Sequence, residues 1–108
     1  MPRRGELHPI WMPRHARLTA HAQQDWQRFM ADFGLLLAQV RRERGFSQEY
    51  VAAQAGMAPY TYVRYEQGRG QDGRPANLTL INLICLANAL HVRVEDIIPD
   101  QYPDIRLD

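Results

Sequence analysis

The stretch from residue 47 to residue 68, SQEYVAAQAGMAPYTYVRYEQG, most restricts how this chain can fold. Two short runs with helical spacing flank Gly56, and they leave no room for a long loop between them. Glycine readily adopts the left-handed conformation that ends a helix, so Gly56 is expected to terminate the first run. Ser47 is suited to cap the first run, and Pro59 suits the start of the second, where its missing N–H is no loss. We therefore expect two helices joined by a tight turn.

The second helix of this pair, residues 59–67, is expected to keep one face clear of the core. Ala52 is small at the point where the helices cross, and Val51 and Met57 are apolar on the side that docks. A helix of this size fits the major groove of DNA, where arginine binds guanine and threonine contacts the methyl group of thymine. The pair therefore meets the requirements of a helix-turn-helix. Its outward face holds Pro59, Tyr60, Val63, Arg64 and Gln67, with Thr61 at the edge.

Helical spacing elsewhere in the chain predicts an all-α fold. Between Thr19 and about Arg44, apolar residues recur every three or four positions, although Gly34 leaves open whether this is one helix or two. Residues 78–90 are apolar almost all round, which predicts a helix at the centre of the core. A shorter helix is expected around residues 94–98, and the sequence has no strand pattern.

Length, composition and charge exclude several classes of protein. A chain of 108 residues supports one hydrophobic core, and no apolar run approaches the roughly 18–20 residues that span a membrane. Cys85 is the only cysteine, which excludes an internal disulfide and favours a cytoplasmic location. Residues 1–74 carry 11 Arg against seven acidic residues, a distribution that suits a polyanionic partner and an ordinary solvated surface equally well.

The sequence has no arrangement of residues that indicates catalysis or metal binding. The four histidines and Cys85 do not fall at the spacings that metal sites use. Nucleophile–base arrangements, paired carboxylates and phosphate-binding glycine loops are also missing from the pattern. We therefore expect no metal, no cofactor and no enzymatic activity.

A longer stretch around the two motif helices, FGLLLAQVRRERGFSQEYVAAQAGMAPYTYVRYEQG, resembles the Cro/C1-type helix-turn-helix family, also called the Xre family. The later segment ANALHVRVEDII is similar to the closing A-L-x-V pattern of that family and to its last helix. The resemblance covers roughly residues 33–98 and implies a five-helix lambda-repressor-like domain that binds DNA. The matching positions are Gly34, Leu37, Arg41, Gly45, Phe46, Ser47, Gln48, Val51, Ala52, Gly56, Glu66 and Gly68.

The resemblance implies roles for individual residues. Residues 59–67 would be the recognition helix, and Gln48 would contact a phosphate at the start of the first motif helix. Arg41 and Glu66 would form a structural ion pair between the first and third helices. The expected DNA-binding residues are Ser47, Gln48, Ala58, Pro59, Tyr60, Thr61, Val63, Arg64, Gln67 and Arg69.

The recognition helix departs from the family pattern in two respects. Ala58 and Pro59 stand where the family usually has Ser or Thr, which removes a polar contact to DNA. Tyr62 and Tyr65 stand where aliphatic residues are usual. Their hydroxyl groups either find partners inside the protein or emerge toward phosphate.

The segment after the recognition helix, GRGQDGRPAN at residues 68–77, is longer than is common in the family and is predicted to be an inserted loop. Two interpretations of this loop remain open. Either Arg69 and Arg74 grip the DNA backbone, or the loop is simply mobile.

The N-terminal part of the chain lies outside the resemblance. We expect three segments: an N-terminal arm and extra helix at residues 1–31, the helix-turn-helix domain at residues 32–98, and a C-terminal tail at residues 99–108. The aromatic cluster of the extra helix either forms a dimer surface or packs this helix onto the domain. The arginines of the arm either enter the minor groove of DNA or lie in a disordered tail. The aromatic residues are Trp26, Phe29 and Phe33, and the arginines are Arg3, Arg4, Arg14 and Arg17.

These features predict a transcriptional regulator, expected to be a repressor, that binds a palindromic site in double-stranded DNA as a homodimer. An alternative is an antitoxin-type or other protein-interaction module of a toxin–antitoxin pair, with a small protein partner. A third interpretation is a helix-turn-helix that has lost DNA binding, because Pro59 is a poor reader of bases and the net charge is only +1.

Overall fold

The computed structural model describes residues 18–105, and within them the fold is all-α, as predicted. The expected fifth helix is a 3-10 turn, so the described part of the chain has four α-helices and two 3-10 helices. The predicted arm at residues 1–17 lies outside the described residues. The α-helices are α1 (Ala20–Glu43), α2 (Gln48–Gln54), α3 (Pro59–Glu66) and α4 (Leu80–Leu90), and the 3-10 helices are Gln71–Gly73 and Val94–Ile97.

The first helix, α1, runs through Gly34 without a break, which resolves the choice between one helix and two. Thr19 caps it, because the hydroxyl oxygen Oγ1 accepts a hydrogen bond from the backbone N–H of Ala22 at 3.1 Å. Gly34 is needed because the end of α3 lies directly against it. A Cβ atom at Gly34 would stand 2.7 Å from the carbonyl oxygen of Tyr65 and closer still to that of Glu66.

The turn between α2 and α3 has the local structure that its residues predict. Ser47 caps α2 by accepting a hydrogen bond from the N–H of Tyr50 at 3.0 Å. Gly56 then adopts the left-handed conformation, with φ at +72°. The N–H of Met57 donates to the carbonyl oxygen of Ala52 at 2.9 Å, which closes the turn. Pro59 is the first residue of α3, so the proline sets where the second motif helix begins.

The core lies where α1, α2, α3 and the C-terminal half of α4 meet. Its largest fully buried side chains are Tyr62, Phe33, Leu37, Leu86, Leu90, Ile97 and Val51. The sequence predicts a fourth helix at the centre of the core, and this helix contributes buried residues to the core, but its start is not buried, because Leu80 and Ile81 are each 70% exposed. The buried residues of α4 lie in its C-terminal half, which holds Leu86, Ala87, Ala89 and Leu90, whereas the apolar residues of its first turn face solvent.

The N-terminal half of α1 packs onto the domain through its aromatic residues. The indole Nε1–H of Trp26 donates to the carbonyl oxygen of Ala76 at 3.2 Å. Phe29 stacks on Trp26 with ring centroids 5.8 Å apart, and Phe33 is buried in the core. The tail returns along the same helix, where the N–H of Asp104 donates to the carboxylate of Asp25 at 3.3 Å. In the described residues, these aromatic side chains therefore pack the N-terminal half of α1 onto the domain, which is one of the two roles that the sequence left open.

Within residues 18–105, no helix is both long enough and apolar enough to span a membrane.

Candidate nucleic-acid interface

The outward face of α3 presents several polar side chains to solvent. Tyr60 is 70% exposed, and Pro59 and Gln67 are exposed beside it. Thr61, Val63 and Arg64 are partly exposed, while Ala58 stands exposed just before the helix. The structure therefore brings most of the predicted site residues to one continuous face.

Arg64 is held against its neighbour on this face. Its guanidinium carbon lies 4.8 Å from the centroid of the Tyr60 ring, one helical turn earlier. This cation–π contact orients both side chains. The Nε atom of Arg64 is buried and has no hydrogen-bond partner among residues 18–105.

The inward side of α3 is fixed by an ion pair to α1. The Nε atom of Arg41 lies 2.6 Å from Oε2 of Glu66, and Nη2 lies 3.2 Å from Oε1. The two side chains are only 12% and 6% exposed. Arg41 also donates to the carbonyl oxygen of Phe46 at 3.0 Å, which ties the loop before α2 to the same group. The pair joins the first and third helices, and a bidentate geometry of this kind fixes direction as well as distance.

Two further side chains complete a polar cluster around Glu66. Gln48 donates from Nε2 to Oε1 of Glu66 at 2.9 Å, and the hydroxyl of Tyr62 donates to Oε2. The hydroxyl of Tyr62 therefore has its hydrogen-bond partner inside the protein, which is one of the two interpretations that the sequence left open. Tyr65 accepts a long hydrogen bond of 3.4 Å from Nδ2 of Asn82. Sequence reasoning missed the bond from Tyr62 to Glu66, although the i,i+4 spacing of the two residues was a signal for it.

Gln48 faces inward, whereas the sequence predicts a phosphate contact through its side chain. A side-chain amide carries two N–H groups, and only one of them is used by Glu66. The second N–H and the backbone N–H groups at the start of α2 remain suited to an anion. Ser47 stands at the same end of α2, and its hydroxyl accepts a bond from Tyr50 and retains its own proton to donate. The inward bond and a phosphate contact are therefore compatible.

The electrostatics of this cluster favour the charged form of Glu66. Burial by itself would raise the pKa of Glu66, but hydrogen bonds from Arg41, Tyr62 and Gln48 outweigh burial, so the pKa lies below its ordinary value. Burial and the bond to Glu66 raise the pKa of Tyr62 far above its ordinary value. The bond to Glu66 raises the pKa of Arg41. The cluster is thus one carboxylate that accepts hydrogen bonds from three side chains, and it fixes the position of α3.

The inserted loop after α3 folds back on itself. Gly70 donates its N–H to the carbonyl oxygen of Arg74 at 2.7 Å, and Ala76 donates to that of Gly68 at 3.0 Å. Arg69 and Pro75 face each other in an isolated antiparallel bridge. The side chain of Arg69 is exposed, and its N–H bonds to the carbonyl oxygen of Arg64 at 2.9 Å. Arg69 therefore continues the surface of α3.

Within residues 18–105 no three His, Cys, Asp or Glu side chains group closely enough to hold a metal ion.

Comparisons with known proteins agree with this geometry. A family model described as a helix-turn-helix domain matches residues 32–92. Among solved structures, the restriction-modification controller protein C.AhdI from Aeromonas hydrophila is similar, with 28% sequence identity and a TM-score of 0.56. The similarity covers 63% of this chain and 94% of the controller protein. No curated protein matches the chain.

The family match spans more than half of the chain and includes both motif helices, and the similar controller has the same all-α fold. These findings confirm the resemblance to the Cro/C1-type family that the sequence indicates. The chain therefore belongs to the helix-turn-helix domain family and is a DNA-binding transcriptional regulator.

Proposed function

We propose that this chain is a sequence-specific repressor that binds a palindromic site in double-stranded DNA as a homodimer in the cytoplasm. The observation that carries the proposal is the division of α3 into two sides. Its inward side is locked to α1 through Glu66, and its outward side presents Tyr60 and Arg64 in contact with each other. A helix held in this way can enter a major groove with its reading residues already oriented.

The roles of the site residues follow from their positions on this surface. Arg64, Tyr60 and Thr61 lie where base edges would be met, and Arg64 is the group best suited to guanine. Gln48, Gln67 and Arg69 flank these residues and would contact phosphate, which sets the register of the helix on the duplex. Ser47, Ala58, Pro59 and Val63 line the remainder of the interface.

Two copies are proposed because one recognition helix of eight residues reads few base pairs. A symmetric dimer places two such helices in successive major grooves, about 34 Å apart, and requires a palindromic site. Bound at a promoter, such a dimer excludes other proteins from the same DNA, which is the physical basis of repression.

Residues 32–98 are proposed as the DNA-binding domain, with residues 1–31 and 99–108 as additions. The bond from Trp26 to Ala76 supports an N-terminal addition that packs against the domain, and the bond from Asp104 to Asp25 joins the two additions to each other.

Selection of bound fragments from genomic DNA tests the proposed function. Because the similar structure is a restriction-modification controller, promoters of such genes belong among the fragments examined. We expect enrichment of one motif whose half-sites are centred about one helical turn apart. Wild-type protein that enriches no motif and binds no duplex at low salt would contradict the proposal, because non-specific affinity is greatest there. A small protein that co-purifies with the chain would instead favour the antitoxin alternative.

A further inference from the structure

The start of α3 presents carbon rather than hydrogen-bonding groups to solvent. Ala58 and Pro59 are both exposed, and neither side chain has a donor or an acceptor. Proline also lacks a backbone N–H, so the first residue of the helix has no donor at all. No side chain caps this end of α3, because Ala58 occupies the N-cap position. The exposed start of the helix is therefore apolar, where the family usually has Ser or Thr.

Val63 extends this apolar surface by one turn of the helix. It lies four residues after Pro59, so the two side chains are neighbours on the surface of α3. Val63 is partly exposed, and within residues 18–105 it is not one of the side chains that pack against the buried core. Its methyl groups are therefore available to a partner on the outward face. We call Ala58, Pro59 and Val63 the apolar patch.

The apolar patch lies beside the one charged group of the outward face of α3. Arg64 follows Val63 directly, and its guanidinium carbon lies 4.8 Å from the centroid of the Tyr60 ring. In a major groove, the patch and the guanidinium group would therefore meet neighbouring base edges. Guanine matches the guanidinium group, which leaves open what the patch itself would meet.

A pyrimidine with a C5-methyl group has the base edge that best fits an apolar surface. Contact with the amino group of cytosine would strip that group of water and offer no hydrogen bond in return, which is unfavourable. Contact with the methyl group of thymine instead removes apolar surface from water on both sides, which is favourable. The composition of the patch thus predicts which base it accepts.

We propose that the apolar patch selects a pyrimidine with a C5-methyl group, next to the guanine that Arg64 reads. The methyl group belongs to thymine in unmodified DNA and to 5-methylcytosine where cytosine is methylated. The patch thereby replaces the polar contact that Ser or Thr would make by an apolar one. This inference rests on the proposed function, and it gives Pro59 and Val63 a share in its sequence specificity.

The test uses the full chain and a duplex site that the wild type selects from a random-sequence library. Fluorescence anisotropy measures the dissociation constant for this site and for versions in which single thymines are replaced by deoxyuridine, which lacks only the methyl group. We expect one such replacement to weaken binding about fourfold, and the matching replacement in both half-sites about fifteenfold, as the loss of buried methyl groups predicts. Because no charge changes, the same ratios should be found at low and at high salt.

A second arm separates the methyl group from the other atoms of thymine. Replacing the sensitive thymine by cytosine, with guanine opposite, should weaken binding. Placing 5-methylcytosine at that position should recover about fourfold of the loss. If 5-methylcytosine recovers no affinity, another atom of thymine carries the preference, and the inference is overturned.

Val63→Ala and Pro59→Ser assign the effect to the apolar patch. Alanine shortens the side chain and is favourable in a helix, whereas serine adds a hydroxyl group at a helix start that tolerates it. In both variants, the ratio of affinities between the thymine and deoxyuridine duplexes should fall toward one. Leu35→Ala is the matched control, because Leu35 is an apolar residue of α1 that is 69% exposed. We expect this control to keep the ratio of the wild type.

The outcomes separate this inference from the proposed function. If the wild type selects a site and deoxyuridine changes its affinity at no position, the patch reads no methyl group, and the inference is overturned while the proposed function stands. If deoxyuridine weakens binding equally in the wild type and in both patch variants, another residue reads the methyl group, which also overturns the inference. Wild-type protein that selects no site and binds no duplex at low salt would overturn the proposed function and this inference with it.

Discussion

Replacing Glu66 by glutamine is expected to destabilise the protein strongly, because Glu66 is the shared acceptor of the cluster that holds α3. Its carboxylate accepts two bonds from Arg41, at 2.6 and 3.2 Å, one from Gln48 at 2.9 Å and one from Tyr62. The substitution leaves the charge of Arg41 buried without its partner and turns an amide N–H₂ toward groups that donate. Removing one member of a buried pair typically costs about 3–5 kcal/mol, and we expect a loss of that size.

Urea denaturation followed by circular dichroism measures this loss as a change in the free energy of unfolding. The matched control is Glu95→Gln, which breaks the ion pair to Arg93 at 2.9 Å. The side chains of that pair are 67% and 81% exposed, so its loss is expected to cost less than about 1 kcal/mol. The two pairs differ in exposure and in the number of donors to the carboxylate, so the comparison measures what the buried cluster adds beyond an exposed ion pair.

Equal losses for Glu66→Gln and Glu95→Gln, each below about 1 kcal/mol, would refute this reasoning. Such a result would mean that core packing alone positions α3. A loss of about 3–5 kcal/mol is a large part of the 5–15 kcal/mol that stabilises a typical domain, so the expected result is easily distinguished.

The remaining predictions concern pH and the packing of α1. The pKa of Glu66 in the folded protein lies below its ordinary value of 4.5, so the charged carboxylate stabilises the fold at pH values above 4.5. This stabilisation is lost as the pH falls through the pKa of the folded state. Measurement of the free energy of unfolding against pH should therefore show an acid loss in the wild type and a smaller one in Glu66→Gln. Gly34→Ala should destabilise the protein by about 1–3 kcal/mol or more in urea denaturation, because the added methyl meets backbone carbonyl oxygens of α3 that cannot move aside. Trp26→Phe keeps an aromatic ring but removes the bond to Ala76, so amide hydrogen exchange of the inserted loop should speed up while exchange in α2 stays unchanged.

The sequence alone predicts the features that depend on local chemistry. Ser47, Gly56 and Pro59 act within a few residues of their own positions, and the structure places the start and end of the motif helices where these residues indicate. The sequence does not decide whether α1 continues through Gly34, because glycine weakens an isolated helix. The close approach of α3, which makes glycine necessary, is a tertiary contact.

Features that depend on distant contacts could not be predicted in the same way. The bond from Gln48 to Glu66 joins residues 18 apart, and that from Trp26 to Ala76 joins residues 50 apart. No local pattern specifies either bond, so the shared acceptor at Glu66 and the bracing of the inserted loop appear only in the folded chain. The exposed start of α4 was missed for the same reason, since a run of apolar residues does not reveal where neighbouring helices end.

The spacing along α3 predicts which residues share its outward face, and both the site and the roles of its residues toward DNA remain predictions. Tyr60, Arg64 and Gln67 fall on one face because they are three or four residues apart. The contact between Arg64 and Tyr60 follows from the same spacing, whereas an open polar cleft that Arg64 lines together with the inserted loop does not.

Comparing the base preferences of the wild type and Arg64→Ala tests the central claim most directly, namely that the outward face of α3 reads DNA sequence. Both proteins are presented with a selected site and with a set of single-base variants of that site, and Arg93→Ala serves as the control. We predict that Arg64→Ala loses about 1–3 kcal/mol on the selected site and loses its preference at one base pair of each half-site. A loss that is the same for every sequence would contradict the claim, because it would show that Arg64 contacts only phosphate.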